Sequence, residues 1–195
     1  KMLTSRTLPP QNYLEVIRFG LKHKVQLCVY ALDHDTVYFQ RPLNHFGKEY
    51  LDHIEQVRQI SLVDLLTYPF SHPPIKIQFV AGPEKIIHLE KLAKREWGKK
   101  LYITRSRVNL LEFLHPHVSK GFALRYLADH YNLTMQQTAA IGDGYNDIPM
   151  LKAAGVSFAV KNAPADVERA ADHVVASCDQ DGVAEAIDWI LKNRR

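Results

Sequence analysis

Two aspartates, an asparagine and a lysine carry the chemistry that this sequence can perform. The run G-D-G-Y-N-D at residues 142–147 brings Asp143, Asn146 and Asp147 close together. Carboxylate and amide oxygens are ligands that a hard divalent ion such as Mg²⁺ prefers. Lys120 adds a cation that could hold a phosphate oxygen. These groups therefore predict metal-assisted chemistry on a phosphate group.

The elements around these residues would place them at one edge of a sheet. Residues 138–141 are small or apolar, which predicts a buried parallel strand that ends just before Asp143. Ligands bind at the carboxyl ends of such strands, and the two glycines of the run leave the backbone approachable. Ser119 is a suitable N-cap for a helix over 120–131, which would put Lys120 in its first turn.

Each candidate also has a purely structural interpretation. Lys120 opposes the helix dipole, and either a phosphate at the helix start would compensate that charge or the side chain is simply solvated. Asn146 could contact phosphate, cap a helix over 147–154, or do both, and Asp147 could be only a favourable charge in the first turn of that helix. Asn162 resembles the cap of a helix over 164–171 more than a phosphate contact.

Composition excludes several classes of protein. The chain has 195 residues, 46% of them hydrophobic, without an apolar run of the roughly 20 residues that would span a membrane. Its net charge of +4 is spread along the chain, so no nucleic-acid partner is expected. Cys28 and Cys178 lie far apart, and His115 and His117, expected to point the same way on a strand, lack a third ligand at zinc spacing. We expect a soluble cytoplasmic protein.

The chain divides into two patterns near residue 112. Residues 1–112 predict an α+β domain with helices over 10–23 and 83–97, and strands near 25–29, 34–40, 75–79, 101–104 and 108–113. Its strands alternate, with Val25, Leu27 and Val29 on one face, and residues 105–107 are expected to form a turn. Residues 113–195 alternate strand and helix, which predicts βαβ units, with strands at 156–160 and 174–175 and a last helix over 182–191.

The order of the motifs resembles the haloacid dehalogenase (HAD) superfamily, and its Cof-type, class IIB phosphatases in particular. The resemblance rests on the segments V-S-K-G-F-A-L, G-D-G-Y-N-D-I-P-M-L, A-V-K-N-A-P, A-D-H-V and D-G-V-A-E-A-I. It implies an α/β fold: the C-terminal half of a HAD-like, Rossmannoid parallel-sheet core over 113–195, and an α+β class IIB cap over 1–112. It also implies that Lys120 and Asn146 bind phosphate, that Asp143 and Asp147 hold Mg²⁺, and that Lys120, Asp143 and Asp147 serve catalysis.

Family members begin with a strand that ends in D-x-D-G-T, whose first aspartate attacks phosphorus and whose second is the general acid and base. This sequence contains no such segment, so we expect a fragment that lacks half of the core and is inactive alone. The run D-H-D-T at residues 33–36 is similar, but it lacks the glycine, and the 84 residues between Asp35 and Lys120 are too few for the remaining core strands plus a full cap. A polar hairpin turn is the better interpretation.

Three functions fit the resemblance. The first is a magnesium-dependent phosphatase that acts on a small phosphorylated metabolite through a phosphoaspartate. The second is a noncatalytic phosphate-binding or interaction module whose exposed sheet edge would pair with the missing N-terminal core segment or with a second copy. The third, a P-type cation pump, has a similar G-D-G-x-N-D segment but would require transmembrane helices after it.

Overall fold

A computed structural model describes residues 4–32, 36–53 and 59–193. The chain forms two compact units, Lys1–His117 and Val118–Arg195. No helix within the described ranges is both long and apolar enough to cross a membrane. Asp33 and Asp35 of the D-H-D-T run lie outside the described residues.

Unit 1 contains six strands, β1 (Gln26–Ala31), β2 (Thr36–Gln40), β3 (Gln59–Val63), β4 (Pro74–Val80), β5 (Tyr102–Arg107) and β6 (Leu110–Leu114). They form one sheet in the order β3-β2-β1-β4-β6-β5, in which only the β2–β3 pair is parallel. Its helices are α1 (Pro10–Lys22), α2 (His45–His53) and α3 (Pro83–Trp97). Helix α3 buries Ile86, Leu89, Ala93 and Trp97, as their spacing predicts.

Both faces of the unit 1 sheet are covered, which corrects the expected alternation in β1. All six residues of β1 are buried. Leu27, Val29 and Phe79 belong to the apolar cluster that contains residues of α1 and α3, whereas Cys28 belongs to a second cluster. Phe46, from α2, packs against that second cluster. Sequence analysis missed α2 because its charged residues hide the apolar period.

Residues 105–107 do not form a turn. Arg105 and Arg107 belong to β5, with a bulge between them, and pair with Leu111 and Leu110 of β6. The bulge inserts an extra residue and changes the direction of the side chains. Arg105 forms an ion pair with Glu90 of α3, with 2.8 Å between Nε and Oε2, so its charge has a partner within the fold and does not require a solvated loop.

His115 and His117 follow β6 and do not lie on a strand, contrary to expectation. The backbone N–H of His117 donates to Nδ1 of His115 at 3.1 Å. Burial, followed by the charges of Arg6 and His117, lowers the pKa of His115. Within the described part of the chain, no group of three His, Cys, Asp or Glu side chains could hold a metal ion.

Unit 2 contains the strands β7 (Ala139–Gly142), β8 (Val156–Val160) and β9 (His173–Val175), and the helices α4 (Lys120–His130), α5 (Ile148–Leu151), α6 (Ala165–Glu168) and α7 (Gly182–Lys192). The strands form a parallel sheet in the order β7-β8-β9, with helices on both faces. The expected helix over 147–154 is instead a 3₁₀ turn, Tyr145–Asp147, followed by α5.

Helix α7 only partly follows its predicted face. Ala186 is fully buried and Ile190 is partly buried, as predicted. Val183 and Ile187 were also expected inward, but they are 46% and 47% exposed. With Leu191 they form an apolar stripe at four-residue spacing, which we call the α7 stripe.

Candidate active site

Asp147 is the centre of the polar cluster at the carboxyl end of β7. Its carboxylate is almost completely buried, with 3% of the side chain exposed. One oxygen, Oδ2, accepts the backbone N–H groups of Asp143 and Gly144 at 3.1 and 2.9 Å. The other, Oδ1, accepts a hydrogen bond from the ammonium of Lys120 and forms an ion pair with it. Asp147 therefore fixes both the turn and the lysine.

Lys120 reaches this cluster from the first turn of α4. Ser119 caps the helix, and its Oγ accepts the backbone N–H of Phe122 at 3.1 Å, as predicted. The carboxylate of Asp147 compensates the lysine charge that the helix dipole disfavours. Simple solvation of Lys120 is therefore not the arrangement found. About half of its side chain, 49%, remains exposed and accessible to a ligand.

Close packing requires glycine at two positions of this cluster. A Cβ added to Gly121, next to Lys120, would lie 2.3 Å from the carbonyl oxygen of Pro149 in α5. A Cβ added to Gly142 would lie 2.6 Å from Cβ of Asp147. No described glycine has a positive φ, so these residues serve close approach, and the left-handed conformation is not needed.

Asp143 differs from Asp147 in its surroundings. The residue is exposed, and its carboxylate has no hydrogen-bond partner or ion pair among the described residues. Its backbone is held by Asp147, so the side chain is anchored at its base while its oxygens face solvent. A carboxylate in this arrangement can bind a hard cation without first breaking a protein contact.

The two asparagines lack the capping roles considered for them. Asn146 lies inside the 3₁₀ turn, and Gly144 and Asp147 occupy the N-cap positions of that turn and of α5. Its side chain is half-buried and makes no hydrogen bond to a described residue. Asn162 is not the cap of α6, which is Pro164; its Oδ1 accepts the backbone N–H of Cys178 at 3.3 Å.

The structure thus brings Lys120, Asp143 and Asp147 together and places Asn146 in the same turn. Two groups that sequence analysis did not use contribute directly: the backbone amides of Asp143 and Gly144, which bind Asp147. The spacing of the two aspartates did not reveal them, although an aspartate side chain can accept backbone N–H groups three or four residues before it. The donor set fits a hard cation only in part, because Asp147 already uses both oxygens.

Comparisons with known proteins identify the family. The family model of haloacid dehalogenase-like hydrolases matches residues 1–187, so the chain belongs to that family. It is 32% identical over 151 residues to a 5-amino-6-(5-phospho-D-ribitylamino)uracil phosphatase of Bacillus subtilis, a match covering 76% of this chain and 48% of that protein. The match spans 48% of that protein's length, and likewise 48% of the length of a putative phosphatase from Haemophilus influenzae.

Solved structures agree with the family and fold. A haloacid dehalogenase-like hydrolase from Bacteroides thetaiotaomicron superposes with a TM-score of 0.75 at 26% identity, covering 97% of this chain and 70% of that one. A HAD subclass IIB sugar phosphatase gives 0.78 at 22% identity, with coverage of 94% and 67%. The expected fold is confirmed: a HAD-like parallel-sheet core segment and an α+β unit of the class IIB kind.

Proposed function

We propose that the whole protein is a magnesium-dependent phosphatase that hydrolyses a small phosphorylated metabolite. The observation that carries the proposal is the difference in contacts between two aspartates. Both carboxylate oxygens of Asp147 are bound, one by Lys120 and the other by two backbone amides. The carboxylate of Asp143, in the same turn, has no partner among the described residues. A fixed ammonium and a free carboxylate suit a phosphate dianion and a divalent cation, respectively.

Each residue then has a definite task. Lys120 neutralises charge on the phosphate oxygens, and Asp147 holds its ammonium in position. Asp143 is the direct Mg²⁺ ligand from this chain, and Asp147 orients its backbone. Asn146 offers its amide to phosphate because no described residue occupies it. Bound Mg²⁺ would supply charge neutralisation and orientation of the phosphate.

The nucleophile must come from a segment that this sequence does not contain. The family resemblance assigns that role to D-x-D-G-T, through a phosphoaspartate. The outer edge of β7 has no partner strand among the described residues, which suits the addition of a parallel strand. The Bacillus relative is named as a 5-amino-6-(5-phospho-D-ribitylamino)uracil phosphatase. The proposal for this protein extends only to the phosphate group of its substrate.

Turnover of p-nitrophenyl phosphate with Mg²⁺ tests the proposal. We expect negligible activity from this chain alone and measurable activity from a longer form that includes a D-x-D-G-T segment. In that form, Lys120→Ala and Asp143→Asn should each reduce kcat by about 100-fold or more. Lys152→Ala, an exposed lysine just after α5, is the matched control and should leave kcat unchanged.

Two results would reject this proposal. Activity that persists in Lys120→Ala and Asp143→Asn would show that the cluster is not the active site. A longer form that binds phosphate but never turns over would favour the alternative, a noncatalytic phosphate-binding or interaction module. The ion pair between Lys120 and Asp147, in which the two groups engage each other, is the feature that supports this alternative.

A further inference from the structure

Two helices of unit 1 form a strongly basic layer beside its sheet. Helices α1 and α3 both bury side chains in the same apolar cluster, for example Val16 from α1 and Ile86 from α3. We call residues 10–24 and 83–100, which comprise these helices and the turns that follow them, the α1–α3 layer. It holds nine lysines and arginines against four glutamates, a net charge of +5. Because the whole chain carries +4, all its other residues together carry −1.

The two helices lie side by side and antiparallel. Nearer the start of α1, Nε1 of Trp97, the last residue of α3, donates to Oε2 of Glu15 at 3.1 Å. Just after the end of α1, burial lowers the pKa of His23, followed by neighbouring charges that include His88 and Lys85 of α3. The end of α1 therefore lies beside the first half of α3, and the cations of both helices share one surface.

Most of these cations lack a carboxylate partner. All nine are exposed. Among the described residues only Lys94 of the nine forms an ion pair, with 2.7 Å between its Nζ and Oε1 of Glu90. Glu90 also pairs with Arg105, and Glu15 accepts from Trp97, so two of the four glutamates are already engaged within the fold. Like charges held on one surface repel one another, and an anionic partner would relieve that repulsion.

The other exposed side chains of the layer favour a partner that is bound through charge alone. The structure describes every residue of the layer, and Ile87, at 40%, is its one exposed large apolar side chain. A helix that lies in a membrane surface needs a whole apolar face. Tyr13, Phe19 and Trp97 are buried or half-buried, whereas proteins that bind single-stranded nucleic acid stack bases on exposed aromatic rings. Contacts to phosphates of a duplex require neither feature.

We propose that the α1–α3 layer binds the phosphate backbone of double-stranded nucleic acid, without preference for sequence. Helix α3 has 15 residues, and its length of about 22 Å matches about six base pairs. Such a dense row of fixed charges can contact several of the eight unpaired cations at once. Sequence analysis expected no nucleic-acid partner because the cations are dispersed along the chain, but the fold brings more than the whole net charge into one layer.

The inference does not depend on the proposed phosphatase activity, because no residue of unit 2 takes part. DNA and RNA duplexes both present a backbone of this charge, so both serve as probes. An acidic protein segment and an anionic membrane are the competing partners, and each has its own arm in the test.

Fluorescence anisotropy of the full chain with labelled duplexes of about 20 base pairs tests the inference. We expect at least one duplex type to bind with a Kd of about 1 to 100 µM at physiological salt, equally for unrelated sequences. The logarithm of the association constant should fall with the logarithm of the salt concentration with a slope of about −4, as for four or five phosphate contacts. Binding of one duplex type alone would support the inference and identify the ligand as DNA or RNA.

Neutral variants assign the binding to the layer. The double variant Lys85→Gln, Lys91→Gln removes two exposed cations of α3, and it should weaken binding about tenfold or more and reduce the size of the salt slope by about 2. Lys48→Gln, Lys152→Gln is the matched control, the same exchange at two exposed positions outside the layer, and should change Kd by less than about twofold. Thermal midpoints should stay equal, because exposed lysines without partners contribute little to stability.

Three outcomes would overturn the inference. The first is the absence of a saturable change in anisotropy with both duplexes at about 50 mM salt. The second is an equal loss of binding in the two double variants, which would place the contact outside the layer. The third is tighter binding of polyglutamate, of phosphatidylglycerol vesicles or of a single strand than of either duplex, which would identify a different class of partner.

Discussion

At the scale of single residues, the two aspartates of the G-D-G-Y-N-D run have opposite roles. Asp147 is buried and accepts hydrogen bonds from a lysine and two backbone amides, whereas Asp143 is exposed and binds none of the described residues. A buried carboxylate in such a network stabilises the fold, and an exposed one does not.

Replacement of each aspartate by asparagine should separate these roles. We expect Asp147→Asn to lower the free energy of unfolding by about 2 kcal/mol, because it removes an ion pair and leaves Lys120 without its partner. Asp143→Asn is the matched control and should change stability by less than about 0.5 kcal/mol. Urea denaturation followed by circular dichroism measures both, and equal losses would contradict the assignment.

Magnesium affinity should depend on the other aspartate. We expect Mg²⁺ to bind this chain with a Kd of about 1 mM, because Asp143 supplies only one unengaged carboxylate ligand. Asp143→Asn should abolish the binding heat in calorimetry. Micromolar affinity would show that the chain holds further ligands, since the described residues contain no group of three potential ligand side chains.

At the scale of elements, the position of Lys120 depends on the packing of α4 against α5. Gly121 allows this packing because its missing side chain leaves room for the carbonyl of Pro149. Gly121→Ala should therefore destabilise unit 2 by about 1 to 3 kcal/mol, as overpacking does. Ala123→Ser, at an exposed position of the same helix, should cost only about 0.5 kcal/mol.

Thermal unfolding followed by circular dichroism compares these two helix variants. The physical reason for the difference is that a backbone carbonyl cannot move aside as a flexible side chain can. A Gly121→Ala variant as stable as Ala123→Ser would mean that α5 shifts freely, and Lys120 would then be poorly positioned.

At the scale of the whole molecule, the α7 stripe leaves apolar surface exposed in unit 2. Val183, Ile187 and Leu191 are each nearly half exposed along one side of the helix. Contiguous apolar surface of this kind usually marks a site of association. Both partners proposed above, an N-terminal core segment and a second copy of the chain, would cover apolar surface.

Self-association should therefore decrease when lysines replace residues of the α7 stripe. We expect the chain to associate reversibly at high concentration in analytical ultracentrifugation, and the double variant Val183→Lys, Ile187→Lys to remain monomeric. Asp188→Lys, an exposed position on the same helix, controls for the added charge and should associate as the unaltered chain does. Association that persists in the double variant would locate the contact elsewhere.

The sequence by itself determined the elements with strong local signals. The period of α3, the Ser119 cap of α4, and the strands β4 and β8 were predicted because apolar spacing and capping residues act over a few neighbours. Motif order also determined the family, since several short segments recur at suitable gaps. The grouping of Lys120 with Asp143 and Asp147 followed from that order.

Only the tertiary structure decided how these residues share their contacts. Both carboxylate oxygens of Asp147 bind protein groups, whereas the carboxylate of Asp143 does not. This difference depends on Lys120 of α4, which lies 27 residues from Asp147 in the sequence. The buried polar pairs Gln78–Glu112 and Glu112–Thr104 of unit 1 likewise arise from strand register, and Arg105 of β5 finds its partner, Glu90, on α3. Long-range contacts of this kind leave no periodic signal along the chain, because each partner is set by packing rather than by its sequence neighbours.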